Sequence, residues 1–179
     1  MPLRMPVLAA VLLLMGCPAL VTMTVERKAE AVIPACTPGQ APPPLVFAGF
    51  RGMDLLADDE MERQRVSWDD VRSVVPIQVS LRVSQGAQDL SHLRDVQLAA
   101  EALSLGRKAF ASAQALPATG EAELNAPGIE ILAHAKSGAM TVSTDVTYTR
   151  CPAEDQAVEA TVVFELQVTG NPLERASTP

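Results

Sequence analysis

The sequence predicts a mainly β protein: an antiparallel β-sandwich with one or two short helices, for which an immunoglobulin-like arrangement is one form. Apolar and polar residues alternate with a period of two along several segments, which is typical of strands that bury one face. Clusters of glycine, proline, serine and asparagine separate these segments and predict turns. The 179 residues leave room for one domain with a modest core.

Alternation is clearest in residues 75–83, 140–148 and 162–168, and it is weaker in residues 129–133. In the first of these segments every odd-numbered residue is valine, isoleucine or leucine, while the even-numbered residues are proline, glutamine, serine and arginine. Each of the four segments is therefore expected to form a strand with one side against a shared core.

Two further segments have mixed patterns. Residues 89–116 fit a helical stripe as well as strand alternation, but Gly106 interrupts any long helix and the flanking segments are strands, so strands are expected. Residues 53–73 are rich in charge and predict a polar helix or an exposed loop. Within them, Ser67 and Asp70 have the spacing of a capping box, which indicates a short helical turn.

The charge balance excludes several function classes. With 14 basic and 21 acidic side chains, the formal net charge is −7, and no basic cluster is present. Binding to phosphate backbones depends on Lys and Arg, so no nucleic acid is expected as a partner. The chain has two histidines and no spaced cysteine pairs, which argues against a zinc site built from Cys and His. We expect neither a metal nor a cofactor.

The N-terminal residues have the layout of a secretory signal peptide, predicted at residues 1–16. One positive charge, Arg4, precedes about 10 apolar residues, and no further charged side chain occurs until Glu26. The end of this segment and the residue after it read Leu14-Met15-Gly16-Cys17.

This ending resembles the lipobox of bacterial lipoproteins, in which a small residue precedes the cysteine that receives the lipid. The resemblance implies cleavage after Gly16 and a mature N-terminus at an acylated (palmitate-type) Cys17, which would be the membrane contact. Three acyl chains would follow in the full pathway, enough for stable anchoring. The implied location is the bacterial cell envelope, with the domain facing the periplasm or the exterior. Pro18 stands where inner-membrane lipoproteins typically have Asp, which favours the outer membrane.

Two alternatives remain for the N-terminus. Residues 5–25 are uncharged, and 21 residues at about 1.5 Å each would span a bilayer as an uncleaved helix. A plain secretory signal would instead leave Cys17 as a free thiol. All three interpretations place the remainder of the chain outside the cytoplasm.

The predicted organisation has four parts: a signal peptide at 1–16, a lipidated, proline-rich tether at 17–35, the sandwich domain at 36–172 and a disordered tail at 173–179. The prolines that follow Cys17 disfavour both a helix and a central strand, so the tether is expected to be extended. Fully stretched, residues 18–35 would reach about 60 Å and hold the domain away from the membrane.

Cys36 and Cys151 remain once Cys17 is assigned to lipid. An even pair of cysteines in an oxidising compartment is most simply a disulfide. It would close a loop of about 115 residues, which contributes roughly 4–5 kcal/mol at most. The alternative is a reactive or metal-binding thiol, but neither cysteine has a histidine near it in the sequence.

No catalytic residue is assigned. A Ser–His–acid site would need its nucleophile in a signature turn, and no Gly-x-Ser-x-Gly motif occurs. His92 and His134 are expected to be surface or half-buried strand residues. The carboxylates of residues 54–62 lack the spacing of a calcium-binding EF-hand loop and are expected to form a solvated face.

Phe47, Phe50 and Trp68 are half of the six aromatic residues. Exposed aromatic side chains mark interfaces, so these three form a candidate binding patch. The alternative is that they fill one end of the sandwich core.

The expected function is that of a non-catalytic interaction or assembly module of the cell envelope, which contacts an envelope protein or polysaccharide. One alternative is a hydrolase of envelope polymers whose carboxylate site the sequence does not reveal. The other is a purely structural envelope component. An enzyme should bring acids or a histidine together in one concave pocket, whereas a binding module should present a patch or a sheet edge.

Overall fold

The computed structural model describes residues 20–37, 42–57, 59–86, 89–150 and 152–169. In these residues the chain is mainly β, with two antiparallel sheets and two short α-helices. The predicted β-sandwich architecture is therefore confirmed.

The strands are β1 (Leu20–Ile33), β2 (Val71–Gln85), β3 (Leu93–Ala102), β4 (Gly106–Gln114), β5 (Glu121–Leu124), β6 (Thr141–Tyr148) and β7 (Gln156–Thr169). The α-helices are α1 (Asp59–Arg63) and α2 (Leu132–Ala135), and a single 3-10 turn covers Ala48–Phe50.

The strands form a four-stranded sheet in the order β1-β7-β2-β5 and a three-stranded sheet in the order β4-β3-β6. An isolated bridge between Ser112 and Asn125 joins the two sheets where β4 and β5 meet. A second bridge, between Met53 and Met140, ties the segment after the 3-10 turn to the start of β6. The two sheets thus enclose one core.

β7 lies at the centre of the larger sheet, between β1 and β2. Its alternation places six side chains in the core: Val158, Ala160, Val162, Phe164, Leu166 and Val168. The strand predicted at residues 162–168 is confirmed and begins earlier than expected. Burial of apolar surface contributes about 25 cal/mol per Å² to the free energy of folding, so this strand is a main contributor to stability.

The predicted tether is wrong for residues 20–33. These residues form β1, which pairs with β7 throughout its 14 residues. Four of its side chains are buried: Val25, Ala29, Ala31 and Ile33. The prolines on which the tether was based, Pro18 and Pro34, flank this strand rather than interrupt it. The folded domain therefore includes Leu20, not only the residues from Cys36 onward.

The segment at residues 89–116 forms two strands, as expected. β3 and β4 make a hairpin whose loop is Leu103 to Leu105, and Gly106 follows with φ +67°. Glycine adopts this left-handed conformation without the steric cost that a Cβ atom adds.

The strand predicted at residues 129–133 is wrong. Ile129 and Glu130 lie in a loop, and α2 begins at Leu132. The Glu130 carboxylate accepts the backbone N–H groups of Val74 (2.9 Å) and Leu132 (2.8 Å), so it satisfies groups that a strand ladder would otherwise pair.

β2 contains a bulge that shifts the predicted alternation. Pro76 pairs with Phe164 and Gln78 with Val163, so Ile77 is an extra residue and is 45 % exposed. A proline has no N–H to donate to a ladder, and bulges are where strands accommodate it. The strands predicted at residues 75–83 and 140–148 are otherwise confirmed.

The charged segment before β2 forms α1 and a turn, close to the expected polar helix and helical turn. In that turn, Ser67 Oγ donates to Asp70 Oδ2 (2.7 Å), and the Asp70 N–H donates to the Ser67 carbonyl (3.0 Å). No helix among the described residues is long and apolar enough to cross a membrane. Residues 1–19 and 170–179, which include the predicted signal peptide, Cys17 and the predicted tail, lie outside the described part of the chain.

Candidate functional site: a polar groove on the three-stranded sheet

A groove of about 610 Å³ crosses the outer face of the three-stranded sheet. Two rows of polar residues form its floor, and each row takes one residue from each of β4, β3 and β6. The rows are Gln114-Asp95-Thr147 and Ser112-Gln97-Asp145. Asn125, directly after β5, adds an amide where the two sheets meet. We call this surface the polar groove.

The two-residue period of the strands produces this floor. On β3, Asp95 and Gln97 face outward, while Val96 and Leu98 are buried in the core. Because antiparallel partners directly opposite each other share a face, the neighbouring strands add their own polar residues to the same side. The result is a strip of hydrogen-bonding side chains above an aliphatic core.

A charged network lies beyond the second row. Arg107 forms ion pairs with Glu101 (Nε to Oε1, 3.3 Å) and with Asp145. Arg107 Nε also donates to Ser143 Oγ (3.2 Å), which in turn donates to Glu101 Oε1 (2.5 Å). The guanidinium thereby fixes the Asp145 carboxylate at the edge of the groove.

The groove offers both donors and acceptors of hydrogen bonds. Gln97, Gln114 and Asn125 contribute amide groups that donate and accept. Hydroxyl groups and carboxylates complete the floor, and Asp95 is paired with Arg94 (Oδ2 to Nε, 2.8 Å). None of the described residues that line the groove is aromatic. This surface suits a ligand rich in hydroxyl or amide groups.

The candidate binding patch of Phe47, Phe50 and Trp68 is wrong, and its alternative holds. Phe47 and Phe50 are 2 % and 0 % exposed, with ring centroids 5.8 Å apart. Trp68 is half-buried and packs against the same core. Phe47 and Phe50 therefore fill the core, with Trp68 packed against it, and the three rings do not form an exposed aromatic patch.

The two histidines are buried, and neither lies in a strand, contrary to expectation. His92 precedes β3 and stacks on Tyr148, with ring centroids 6.4 Å apart. Burial lowers the pKa of His92 and raises the pKa of Tyr148 to about 12, so both side chains are neutral near pH 7. His134 lies in α2, with Nε2 3.1 Å from the Gly106 carbonyl oxygen. Neither histidine lines the polar groove.

Of the acidic residues at 54–62, Asp54, Asp59 and Glu62 have described side chains, and none of these three lines the groove. Among them, Asp54 Oδ1 accepts the backbone N–H of Leu56 (2.9 Å), a local turn contact. The described residues contain no group of three or more His, Cys, Asp or Glu side chains placed to hold a metal ion.

Of the three cysteines, Cys36 lies among the described residues. Cys17 and Cys151 lie outside the described residues, so lipidation and the disulfide stay predictions. The backbone N–H of Cys36 donates to the carbonyl of Pro152 (3.4 Å), the residue that follows Cys151 in the chain.

The polar groove was not predicted from the sequence. The strand predicted at residues 140–148 has Asp145 and Thr147 at polar positions. This pattern indicated that their side chains would lie on the outer face, where the groove is. The partner residues Asp95 and Gln97 lie in the segment whose pattern was mixed. Which strands are neighbours depends on long-range pairing that a local pattern does not contain.

The chain matches no protein-family model and no curated protein sequence.

Proposed function

We propose that this protein is a lipid-anchored, non-catalytic binding module of the bacterial cell envelope, and that the polar groove holds a strand of envelope polysaccharide. Two features support the proposal: the lipobox-like sequence that ends at Cys17, and the groove itself. The groove is the observation that supports a polysaccharide ligand, because it aligns polar side chains from three strands on one open surface.

The choice of a polysaccharide rests on the chemistry of the floor. Amides, hydroxyls and carboxylates match the many hydroxyl groups of a sugar chain. Protein interfaces take most of their binding energy from buried aromatic or arginine anchors at their centre. The described floor has no aromatic ring, and Arg107 is held by ion pairs at the edge. A polysaccharide is therefore favoured over an envelope protein.

The rival enzymatic interpretation has less support. A hydrolase needs an acid or a histidine of shifted pKa in a concave pocket that excludes water. The shifted His92 is packed in the core against Tyr148, and the groove is open to solvent. Asp95 and Asp145 stand in the groove beside Arg94 and Arg107, as expected for charged groups that position a ligand.

Binding to solubilised envelope polysaccharide tests the proposal. We expect wild type to bind it and Gln97→Ala/Gln114→Ala to bind about tenfold or more weakly, because two sets of hydrogen bonds worth about 1 kcal/mol each are lost. Gln78→Ala, an exposed glutamine on β2 of the other sheet, is the matched control and should bind as wild type does.

Unchanged affinity in the double variant would contradict the assignment of the groove. Retention of an envelope protein instead of the polysaccharide, lost in the same variant, would favour the protein partner. If neither is retained, the purely structural alternative gains.

We also propose the Cys36–Cys151 disulfide. The hydrogen bond between the backbones of Cys36 and Pro152 supports it, because Pro152 directly follows Cys151 in the sequence. Such a bridge would lie just beyond the last pair of the β1–β7 ladder, Ile33 with Gln156.

A further inference from the structure

The tip of the β3–β4 hairpin is apolar and has no partner within the described structure. Leu103 is fully exposed, at 111 % of its reference area, and Leu105 is 45 % exposed. The Leu105 N–H donates to the Ala102 carbonyl (3.1 Å), and Gly106 closes the loop with its positive φ. The loop is thus a tight turn that holds two leucines away from the core.

This tip lies at the same end of the sandwich as the start of β1. Gly106 is next to His134 of α2, and the residue before α2, Ile131, donates its N–H to the Val74 carbonyl (2.9 Å). Val74 is level with Met23 of β1, because both pair with Leu166 of β7. β1 begins three residues before Met23, at Leu20.

The opposite end of the sandwich is marked by different contacts. The Leu90 N–H donates to the Thr119 carbonyl (3.0 Å), and Gln156 Nε2 donates to the Asp89 carbonyl (3.0 Å). Gln156 pairs with Ile33, the last residue of β1. The loop around Thr119 is therefore remote from the hairpin tip.

The start of β1 is also the end nearest the proposed anchor. Only residues 18 and 19 separate Cys17 from Leu20, a reach of about 11 Å at most. Leu20 itself is 60 % exposed. An anchor at this position is nearer to the hairpin end of the sandwich than to the Thr119 end.

We propose that the hairpin tip is a second membrane contact, with Leu103 and Leu105 inserted among the lipid acyl chains. Lys108, exposed three residues after Leu105, lies where its ammonium group meets the phosphate headgroups. Two contacts fix the orientation of the sandwich, whereas a single anchor leaves it free to rotate. The inference rests on the proposed attachment of Cys17 to the membrane.

Quenching by brominated lipids tests this contact. The full-length acylated protein, with its only tryptophan removed by Trp68→Phe, carries either Leu103→Trp or Ala118→Trp, next to Thr119, and is reconstituted in phosphatidylcholine vesicles with bromine on the acyl chains. Both positions are exposed and accept the larger ring. Burial at the acyl boundary predicts quenching at position 103 about fivefold or more above that at position 118. Adding Leu105→Asp should reduce it to the level of the control.

Vesicle flotation and palmitate labelling separate the two ways of failing. The labelled protein that floats with the vesicles could show equal, weak quenching at both positions. This result overturns the membrane contact of the hairpin tip and favours a protein partner for it. Equal, weak quenching in unlabelled protein that does not float overturns the contact together with the proposed anchor.

Discussion

Glu130 fastens the loop before α2 to the start of β2. Its Oε1 accepts the backbone N–H groups of Val74 and Leu132, and its Oε2 accepts the hydroxyl of Ser73 (2.5 Å). Partial burial opposes ionisation, but these hydrogen bonds outweigh it and hold the pKa of Glu130 below its usual value of 4.5. The ionised side chain therefore stabilises the folded state.

Replacing this carboxylate should make stability less dependent on pH. We expect Glu130→Gln to lower the free energy of unfolding near pH 7 by about 1 kcal/mol, a value reduced for solvent exposure. Because the folded-state pKa is lowered, the stabilisation is complete above the unfolded-state pKa and is lost as the pH falls through the folded-state value. Urea denaturation of wild type and variant should thus give free energies of unfolding that converge as the pH falls below the usual glutamate pKa of 4.5.

Glu123→Gln, an exposed carboxylate on β5, is the control and should leave stability unchanged across this range. A constant difference between wild type and Glu130→Gln from pH 7 to pH 3 would contradict the role of ionisation.

Among the secondary-structure elements, β1 departs furthest from the prediction. A local pattern of apolar residues alternating with threonine and charged residues was present between Pro18 and Pro34, but the flanking prolines favoured a tether. The strand is stabilised by its full pairing with β7 and by burial of Val25 and Ile33. Tertiary pairing of this kind overrides a local compositional signal.

The proposed Cys36–Cys151 disulfide would link the chain after the end of β1 to the chain before the start of β7. Reduction, or Cys36→Ser/Cys151→Ser, should lower the free energy of unfolding by about 2–4 kcal/mol, since the bridge restricts the unfolded chain. Urea denaturation with and without reductant measures the loss, and the double variant should no longer respond to reductant.

Gel mobility provides the direct check on the pairing. Wild type should migrate faster without reductant than with it. Identical migration, together with two free thiols counted in the unfolded wild-type protein, would contradict the bridge.

For the whole molecule, the class of fold was readable from the sequence, while the position of the candidate site was not. Period-two alternation identified the strands that became β2, β6 and β7, because burial of one face leaves its mark in each strand separately. The polar groove arises from the order β4-β3-β6, which brings Asp95 beside Thr147 and Gln97 beside Asp145. That order depends on pairing across more than 40 residues.

The proposed function depends on how close the sandwich lies to the membrane. With β1 beginning at Leu20, an acylated Cys17 would place the domain against the membrane, and not at the end of a 60 Å tether (about 18 residues at full extension). The polar groove would then act on polymer close to the lipid surface. The proposed function depends on attachment at Cys17, and so does the proposed orientation of the sandwich on the membrane.

Metabolic labelling with palmitate detects lipid attachment at Cys17. Cells expressing the wild-type chain should yield a labelled protein in the membrane fraction, and Cys36→Ala should retain the label. Cys17→Ala should lose it, because the thiol that receives the lipid is removed. Label that persists in Cys17→Ala, or a wild-type protein that takes up none, would contradict acylation of Cys17.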